Sequence, residues 1–342
     1  MHLVTLGSGT GQATLLRGLR SYACQVTAIV GVTDNGGHSG ELRRILDLPQ
    51  VGDTRQCLSA LVDETCVWGQ LLQYRFTTGE LRGLSVGNLM LAALSTLHGS
   101  FSAAVAAFGR AAGLRQRVVP VSDTNTHIAA ELQDGRQLIG EWEIIQRQPR
   151  SDVVRLFLQP PAAALPAVLE AIATADVLVL CPGSLLTGMI PVLLHTGVRE
   201  AMAATSAWCL YVGNLMTQPG QTDGYTAAQH LDFLHRYLGR QVDAVLLNSG
   251  VIPADLLAYY AQHGSEPVLD DVTETDLAVY RADLTEHPTL ETLRRYQRPQ
   301  GEAMQVGLHV IRHDAHKLAA QIMALAMARQ AGADEPSQRV FR

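Results

Sequence analysis

The sequence is short of charged residues and has no surplus of basic ones. Only 17% of its 342 residues are charged, and the formal net charge is −6. A protein that binds nucleic acid without sequence preference carries a basic surplus, because lysine and arginine neutralise the phosphates. The charge balance therefore argues against a nucleic-acid partner and favours a small molecule or a protein.

Paired cysteines and long apolar runs are also missing. The five cysteines are an odd number without a C-x-x-C pair, which argues against a disulfide framework or a zinc site. The longest apolar stretches, such as 89–94 and 322–328, are too short to span a bilayer, and no secretory signal is visible. We therefore expect a soluble, cytoplasmic protein that does not insert into membranes.

Common catalytic signatures are absent as well. The sequence has no G-x-x-x-x-G-K-[ST] loop and no G-x-S-x-G elbow, and spacing selects no Ser–His–Asp or Cys–His set. His309, His313 and His316 lie close together, but the stretch crosses from a strand end into a helix, so the three need not converge on a metal. The sequence assigns no catalytic residue and no metal ligand.

What the sequence does have is a regular alternation of apolar strands and helices. A strand at 2–6, a glycine turn and a leucine–arginine helix at 12–21 lead into a β-branched strand at 26–32. Further strands are predicted at 118–121, 153–158, 177–180, 208–212, 242–247 and 306–311. The pattern predicts a Rossmann-like, doubly wound α/β fold, with a mostly parallel sheet and helices on both faces. We expect a single domain over 1–331 and a flexible tail over 332–342.

Some local patterns make narrower predictions. Residues 127–147 alternate weakly around Asp134-Gly135, which predicts a hairpin. Pro160-Pro161 predicts the start of an alanine-rich helix that runs to about Ala173. Asp314 is a suitable N-cap for a helix over 315–330. The alanine-rich helices could face the sheet or could bury a homodimer interface.

The first predicted strand ends in GSGTGQ and opens a helix. Glycines allow the backbone to approach a phosphate, and a helix N-terminus attracts anions. The candidate ligand contacts are Gly7, Gly9, Thr10 and Gly11. Gln12 stands where the dinucleotide fingerprint has a small residue, so the motif favours a phosphate or nucleotide without specifying NAD. The alternative is a turn that serves only strand–helix packing.

Polar residues also follow the second predicted strand. Asp34 has the position of the acid that accepts hydrogen bonds from ribose hydroxyls in dinucleotide folds. The further candidates in this loop are Asn35, Gly36, Gly37 and Ser39. The alternative is an Asn-Gly turn with surface arginines. In GDTRQ, 52–56, Asp53 could cap a helix, and Arg55 could bind a phosphate or lie on the surface.

Three later segments add candidates. Asn88 lies in an apolar helix and needs a polar partner, which could be a core group or a ligand. CPGSLLT, 181–187, is another strand–glycine–helix turn, which could bind an anion or only cap the helix. In the segment around MTQPG, 216–220, amide side chains could read a base or sugar edge. The candidates in the last two segments are Gly183, Ser184, Thr187, Asn214, Met216, Thr217 and Gln218.

Taken in order, these motifs resemble the CofD-like superfamily and, within it, the YvcK or gluconeogenesis factor branch. The matching segments are GSGTGQATLLRGL (7–19), DNGGHSGELR (34–43), GDTRQCL (52–58), YRF (74–76), GNLM (87–90), CPGSLLT (181–187), MTQPG (216–220), the segment 260–268 and IRHD (311–314). Together they span about residues 3–328. The order of so many unusual motifs is far more specific than any one of them.

The resemblance implies a regulator of carbon flux and of cell-envelope synthesis and cell shape that binds a UDP-sugar such as UDP-N-acetylglucosamine. By position, the family's tyrosine and arginine contacts to that ligand fall on Tyr260 and Arg312. A tyrosine ring can stack on a base or sugar, and an arginine can pair with a diphosphate.

Two enzymatic alternatives stay open. A CofD-like transferase would move a phospholactyl-type group onto a deazaflavin, with GDP and Mg²⁺ as expected partners. An NAD(P)-binding oxidoreductase would use the first strand–helix–strand unit and Asp34. Asn35 replaces the second acid of the family's Asp-Asp pair, and a neutral amide is a weaker metal ligand, which weighs against the transferase. Leu84, Cys181 and Leu186 replace a common His, Gly and Tyr, so we expect a ligand environment that differs from the family's.

Overall fold

The computed structural model describes residues 1–35, 37–148, 152–273, 277–286 and 311–332. The strands, in chain order, are β1 (His2–Gly7), β2 (Gln25–Val30), β3 (Arg117–Pro120), β4 (His127–Leu132), β5 (Gln137–Ile139), β6 (Val153–Gln159), β7 (Val177–Leu180), β8 (Trp208–Val212), β9 (Ala244–Asn248) and β10 (Ala278–Ala282). Seven of these strands form the central sheet, in the order β3-β2-β1-β7-β8-β9-β10, and all neighbours in it are parallel. The predicted doubly wound α/β fold is confirmed.

Helices cover both faces of this sheet. They are α1 (Gly9–Leu19), α2 (Gly37–Leu46), α3 (Gly52–Leu61), α4 (Val67–Gln73), α5 (Val86–His98), α6 (Phe101–Ala111), α7 (Glu141–Ile145), α8 (Pro166–Ala173), α9 (Ile190–Leu193), α10 (Val198–Ala204), α11 (Ala227–Leu238), α12 (Ala254–Gln262) and α13 (Ala315–Gln330), with a π-helical turn at Leu185–Met189 before α9. Every residue of β7 and β8 is buried. Burial on both faces explains why these strands read as continuous apolar runs rather than as alternating ones.

The order of the central sheet reverses between β1 and β7. From β1 the chain winds outward through β2 to β3, then crosses back and winds the other way from β7 to β10. The loops that follow β1 and β7 therefore leave the sheet in opposite directions and open a crevice at its carboxyl edge. The motifs that follow these strands all belong to this edge.

A second, smaller sheet lies between β3 and β7 in the sequence. It has the order β5-β4-β6 and is antiparallel. The predicted hairpin around Asp134-Gly135 is confirmed as the β4–β5 turn, and the strand predicted at 153–158 is β6. This strand does not join the central sheet, because β6 pairs with β4.

One predicted helix starts later than expected. The chain stays extended after Pro160, where Ala164 N–H donates to Thr196 (3.1 Å) and Leu165 N–H donates to Val121 (2.9 Å). These long-range bonds hold the segment away from helical geometry, and α8 begins only at Pro166, a favourable first helical residue. The predicted start at Pro160-Pro161 is therefore wrong.

The predicted N-cap of the last helix is confirmed. The Asp314 carboxylate accepts hydrogen bonds from the backbone N–H groups of His316 and Lys317, each at 2.8 Å, and α13 follows. Most of the strand predicted at 306–311, and the tail beyond Gly332, lie outside the described residues.

The part of the chain that the structure describes contains no single helix long and apolar enough to cross a membrane. Helices α5 and α6 meet the length and composition criteria only when they are taken together, and they are bent by 113° at their junction.

Candidate functional site

The glycine turn after β1 packs directly against the loop after β7. A Cβ atom added at Gly11 would lie 1.9 Å from the carbonyl oxygen of Pro182. The absence of a side chain at Gly11 therefore lets α1 approach the second loop closely. Packing accounts for this glycine, and a phosphate contact at the turn stays a prediction.

Gln12 explains why the turn departs from the dinucleotide fingerprint. Its side chain is fully buried, and Nε2 donates to the Ile29 carbonyl (2.9 Å) and to Thr5 Oγ1 (3.1 Å). Its Oε1 accepts a weak hydrogen bond from Cys57 Sγ at 3.6 Å. The amide thus joins β1 to β2 under the crevice, so position 12 serves the sheet rather than a cofactor.

Three carboxyl groups meet where the crevice opens. Asp34 follows β2, Asp53 lies in the first turn of α3, and Glu141 begins α7. Asp34 and Glu141 are hydrogen-bonded through their side chains. Burial raises the pKa of Glu141 well above its ordinary value, and the hydrogen bond with Asp34 and its charge raise it further. Two carboxyl groups can share a hydrogen bond only if one of them is protonated.

Asp53 is the most deeply buried of the three acids. Only 7% of its surface is exposed, and burial, followed by the charge of Asp34, raises its pKa to about 8. The positive charge of Arg55 and a backbone hydrogen bond from Gly9 act in the opposite direction. Burial is the larger effect, so this carboxyl is mostly protonated at neutral pH.

The loop that carries Asp34 is fixed from beneath by Arg43. This guanidinium is 3% exposed and donates to the Thr33 carbonyl (3.0 Å), to Asn125 Oδ1 (2.5 Å) and to the Thr126 carbonyl. Burial lowers the pKa of Arg43 to about 10, and the charge of Asp34 opposes that change. The alternative interpretation, in which this arginine lies on the surface, is therefore wrong for Arg43, which supports the loop.

Asn35 caps α7 from outside the helix. Its Oδ1 accepts from the backbone N–H of Trp142 at 3.2 Å, and its Nδ2 donates to Glu143 Oε2 at 3.3 Å. The preceding Gly140 has a φ of 112°, and a Cβ there would lie 2.0 Å from Glu143 Oε2. An amide can donate to a carboxylate and an ionised acid cannot, which gives a physical reason for Asn at this position.

Asn35→Asp is expected to destabilise the protein by about 1 kcal/mol, because it removes a donor and places a carboxylate against Glu143. Urea unfolding measures the loss in free energy, and hydrogen exchange should show faster opening of α7. Adding Glu143→Gln should restore most of the stability, since the repulsion disappears. Two additive substitutions in this double-mutant cycle would contradict the pairing.

Glu141 spans the crevice from one loop to the other. Besides Asp34, it contacts Thr187 in the π-helical turn after β7, whose Oγ1 donates to Glu141 Oε1 at 2.7 Å. Gln221 Oε1 lies 3.2 Å from the same hydroxyl, and Gln221 Nε2 donates to Ser184 Oγ at 2.9 Å. Glu141, on the short helix that follows β5 of the small sheet, therefore contacts loops from both halves of the central sheet.

The loops after β7 and β8 are joined by a reciprocal amide pair. Gly183 N–H donates to Asn214 Oδ1 at 2.9 Å, and Asn214 Nδ2 donates to the Gly183 carbonyl at 2.8 Å. Both hydrogen-bonding groups of the Asn214 amide are used within the protein. Asn214 thus fixes the CPGSLLT loop, and contact with a base or sugar stays a prediction.

The MTQPG segment is fastened to the region after α12. Thr217 N–H donates to the Glu266 carbonyl at 2.7 Å, and Thr217 Oγ1 accepts from the Glu266 N–H at 2.9 Å. Met216 is 8% exposed and packs with Leu256. Gln218 is half-buried, and its backbone N–H donates to Thr222 Oγ1 at 2.9 Å.

Tyr260 packs in the same hydrophobic cluster as Met216 and Leu256. Its side chain is 1% exposed, and its hydroxyl accepts from the backbone N–H of Ile311 at 2.9 Å. The tyrosine therefore positions the segment that carries Arg312, which is half-buried and whose carbonyl accepts from the Glu286 N–H at 3.0 Å. Ligand contacts by these two residues stay predictions.

Arg55 lies in α3 and Asn88 in α5, and these two helices pack side by side. Arg55 is 9% exposed and donates to the Leu72 carbonyl at 3.1 Å, and a Cβ added at Gly87 would lie 2.9 Å from its Cδ. Asn88 is 2% exposed, in the first turn of α5. Thr10 is exposed, and its hydroxyl lies 3.4 Å from Gln56 Oε1.

Some predicted site positions are described only in part. Gly36 and the side chain of Ser39 lie outside the described residues, whereas Gly37 begins α2. Among the positions that depart from the family pattern, Cys181 and Leu186 are buried, at 3% and 1% exposure. A Cβ at Gly7 would lie 3.0 Å from the Cys181 Cβ, so this change affects the packing under the crevice.

Sequence reasoning missed Glu141, Gln50 and Gln221. Gln50 Nε2 donates to Asp34 Oδ2 at 3.0 Å, and its Oε1 accepts from the Asp53 N–H at 3.1 Å. These residues lie in loops or short helices without a motif, and only the tertiary structure brings them to the crevice. The single usable signal was an acidic pair, Glu141 and Glu143, directly after a glycine.

The described residues contain no preformed cluster of metal ligands. No group of three or more His, Cys, Asp or Glu side chains within them is arranged to hold an ion. Of the clustered histidines, His313 is buried and His316 is exposed, while His309 lies outside the described ranges. Burial lowers the pKa of His313 to about 4.

The fold and the site define a doubly wound α/β protein whose polar loops gather at the switch point of the sheet. A family model described as 2-phospho-L-lactate transferase CofD matches residues 3–285. The chain belongs to this CofD family, in its gluconeogenesis factor branch, as the order of motifs predicted.

The relatives cover almost the whole chain. A putative gluconeogenesis factor of Thermotoga maritima is 39% identical over 320 residues, which are 93% of this chain and 97% of that protein. The gluconeogenesis factor of Bacillus subtilis is 36% identical over 94% of this chain and 97% of its own length. A crystal structure of a UPF0052 family protein from Bacillus halodurans, 35% identical, matches with a TM-score of 0.82 over 94% of this chain and 99% of its own.

Proposed function

We propose that this protein is a regulator that binds a nucleotide-type ligand, with a UDP-sugar such as UDP-N-acetylglucosamine as the first candidate, and that it acts in carbon metabolism and cell-envelope control. The observation that carries the proposal is the position of the motifs. The glycine turn, Asp34 and the Ser184 turn lie on both sides of the reversal between β1 and β7. Nucleotides bind there in doubly wound folds.

The chemistry of the crevice supports a ligand with both hydroxyl and phosphate groups. Asp34 has the position of a ribose-binding acid, and the N-terminus of α1 offers backbone N–H groups to an anion. Glu141 spans the crevice between Asp34 and Thr187, so ligand entry has to displace it from at least one of them. In such a site, ligand binding replaces hydrogen bonds within the protein, which suits a protein that senses the ligand.

The transferase alternative has less support. Both the oxygen and the nitrogen of the Asn35 amide are hydrogen-bonded to α7, and the described residues provide no cluster of metal ligands. Phosphoryl-type transfer between two substrates generally relies on metal ions to neutralise developing charge. We therefore favour a binding protein without turnover, located in the cytoplasm.

A thermal-shift screen tests the proposal with UDP-N-acetylglucosamine, other UDP-sugars, GDP and NAD, each with and without Mg²⁺. A ligand at about 100 times its Kd should stabilise the native state by about 2.7 kcal/mol, which raises Tm by several degrees. We expect a metal-independent rise with a UDP-sugar. Arg312→Ala should reduce that rise, whereas Arg115→Ala, a control at an exposed arginine before β3, should not.

Other outcomes would contradict the proposal. A rise that needs both GDP and Mg²⁺ favours the transferase, and a rise with NAD alone favours the oxidoreductase. If no nucleotide changes Tm, the crevice is not a nucleotide site.

A further inference from the structure

Arg55 carries a buried positive charge whose hydrogen bonds are only partly satisfied. Its side chain is 9% exposed, and its Nη1 donates to the Leu72 carbonyl at 3.1 Å. Its Nε is fully buried and has no hydrogen-bond partner among the described residues. A buried donor on a charged group is costly to leave unpaired, so this nitrogen indicates an acceptor that the described chain does not supply.

The charges around Arg55 do not neutralise it. Burial, followed by the charge of Arg75, lowers the pKa of Arg55 to about 10, and the charge of Asp53 opposes this change. Asp53 is a weak counter-charge, because burial and the charge of Asp34 raise its own pKa to about 8. Two guanidinium groups therefore repel one another beside an acid that is mostly neutral. A water molecule could accept the hydrogen bond but could not compensate the charge.

The first turn of α5 lies directly against the Arg55 side chain. A Cβ added at Gly87 would lie 2.9 Å from Arg55 Cδ, so the glycine makes room for the arginine. The neighbouring N–H groups of Val86 and Asn88 have acceptors at 3.0 and 3.4 Å, whereas the Gly87 N–H has none among the described residues. Arg55 thus contacts a buried residue whose own donor is unpaired, at the positive end of a thirteen-residue helix.

Arg75 approaches the same turn from the hairpin that precedes α5. Arg75 and Ser85 form an antiparallel bridge, and directly opposite residues of such a pair project their side chains to the same face. Ser85 is the N-cap of α5, so Arg75 lies on the side of the helix N-terminus. Its Nη1 donates to the Gly83 carbonyl at 2.9 Å, and the residue is exposed. The two arginines therefore meet the helix N-terminus at a place that opens to solvent.

We propose that Arg55, Arg75 and the first turn of α5 form a binding site for an oxyanion of the phosphate class. Its oxygens would accept from Arg55 Nε and from the Gly87 N–H, and its charge would neutralise the two guanidinium groups. The protonated state of Asp53 favours this, because an ionised acid there would repel the anion. The oxyanion is either the diphosphate of the proposed nucleotide or the phosphate group of a separate ligand, and the site does not depend on which.

Isothermal titration calorimetry with inorganic phosphate tests the inference, at an ionic strength kept constant with chloride. We expect phosphate to bind the wild type. Arg75→Gln should weaken this binding about tenfold or more, because it removes a charged donor. Arg110→Gln, at an exposed arginine of α6, is the matched control and should bind phosphate as the wild type does. Neither substitution should lower Tm without phosphate by more than about 2 °C, since both residues are exposed.

Arg55→Met tests the buried arginine with a side chain of similar length and no charge. Phosphate should raise the urea midpoint of the wild type and leave that of Arg55→Met unchanged, because only a native state that binds the anion gains stability from it. If Arg55→Met does not fold, the comparison of Arg75→Gln with Arg110→Gln still decides the question.

A titration of phosphate into protein saturated with UDP-N-acetylglucosamine distinguishes the two sources of the oxyanion. Loss of phosphate binding means that the diphosphate of the nucleotide occupies the site. Unchanged phosphate affinity means that a separate phosphorylated ligand does.

The inference and the proposed function fail in different ways. If inorganic phosphate at millimolar concentration does not bind the wild type, or binds Arg75→Gln equally well, the oxyanion site is wrong whatever the nucleotides do. If no nucleotide binds but phosphate does, and Arg75→Gln weakens it, the proposed function is wrong and the oxyanion site stands.

Discussion

Replacing Asp53 by asparagine is expected to make the protein more stable than the wild type at about pH 8 and equally stable at about pH 4. Asp53 is 7% exposed, and burial raises its pKa from 3.8 to about 8. Ionising this carboxyl in the folded protein is therefore costly. An asparagine carries no charge, and its oxygen can still accept the hydrogen bond that Gly9 N–H donates to Asp53.

The direction of the pH dependence follows from linkage. The folded-state pKa of Asp53 lies above its unfolded value, so its contribution to stability is complete below about pH 4 and is lost as the pH rises through about 8. Each bound proton changes the free energy of unfolding by about 1.4 kcal/mol per pH unit. Between about pH 5 and pH 8 the free energy of unfolding of the wild type should fall by up to about 4 kcal/mol, whereas that of Asp53→Asn should not fall by this amount.

Urea unfolding across this pH range measures the difference. Asp232→Asn, at an exposed carboxylate on α11, is the control and should follow the wild type at every pH. Equal losses in the wild type and Asp53→Asn would mean that Asp53 is ionised in the folded protein throughout. Glu141, whose pKa burial and Asp34 also raise, should add to the loss in both proteins.

Six of the seven strands of the central sheet, all but β10, could be predicted because their signals are local. Each of its early strands is an apolar run that ends in glycine or a polar turn, and a parallel strand buried on both faces needs nothing else to be recognised. No local signal shows which strand pairs with β6, because its residues are compatible with pairing in either sheet. Only the tertiary structure decides that β6 lies against β4.

The candidate site was predicted less completely, and the reasons are physical. Asp34 and Ser184 were found because they follow strands directly. Glu141 was missed because its helix has five residues and is held at the crevice by long-range hydrogen bonds with Asn35. Spacing along the sequence also cannot report burial: Tyr260 is 1% exposed, and its contact with a ligand stays a prediction.

Gly11 packs directly against the loop after β7, and Gly11→Ala is expected to destabilise the protein by about 3 kcal/mol or more. The added Cβ would lie 1.9 Å from the Pro182 carbonyl oxygen and 2.7 Å from its carbonyl carbon. Both atoms belong to the backbone, so no rotamer change relieves the contact. The loop cannot easily retreat either, because Asn214 holds the next residue, Gly183, through two hydrogen bonds.

Gly109→Ala provides a matched control, since both glycines are helical. A Cβ at Gly109, in α6, would meet nothing within 4 Å, so this substitution should stabilise the protein by about 0.5 to 1 kcal/mol through helix propensity. Urea unfolding should therefore give opposite signs for the two variants. If Gly11→Ala is tolerated as well as Gly109→Ala, the loop after β7 moves freely relative to α1. A crevice with such a loop would not hold a ligand's phosphate at a fixed distance from Asp34, so the stability of this one variant also tests whether the two halves form a preorganised site.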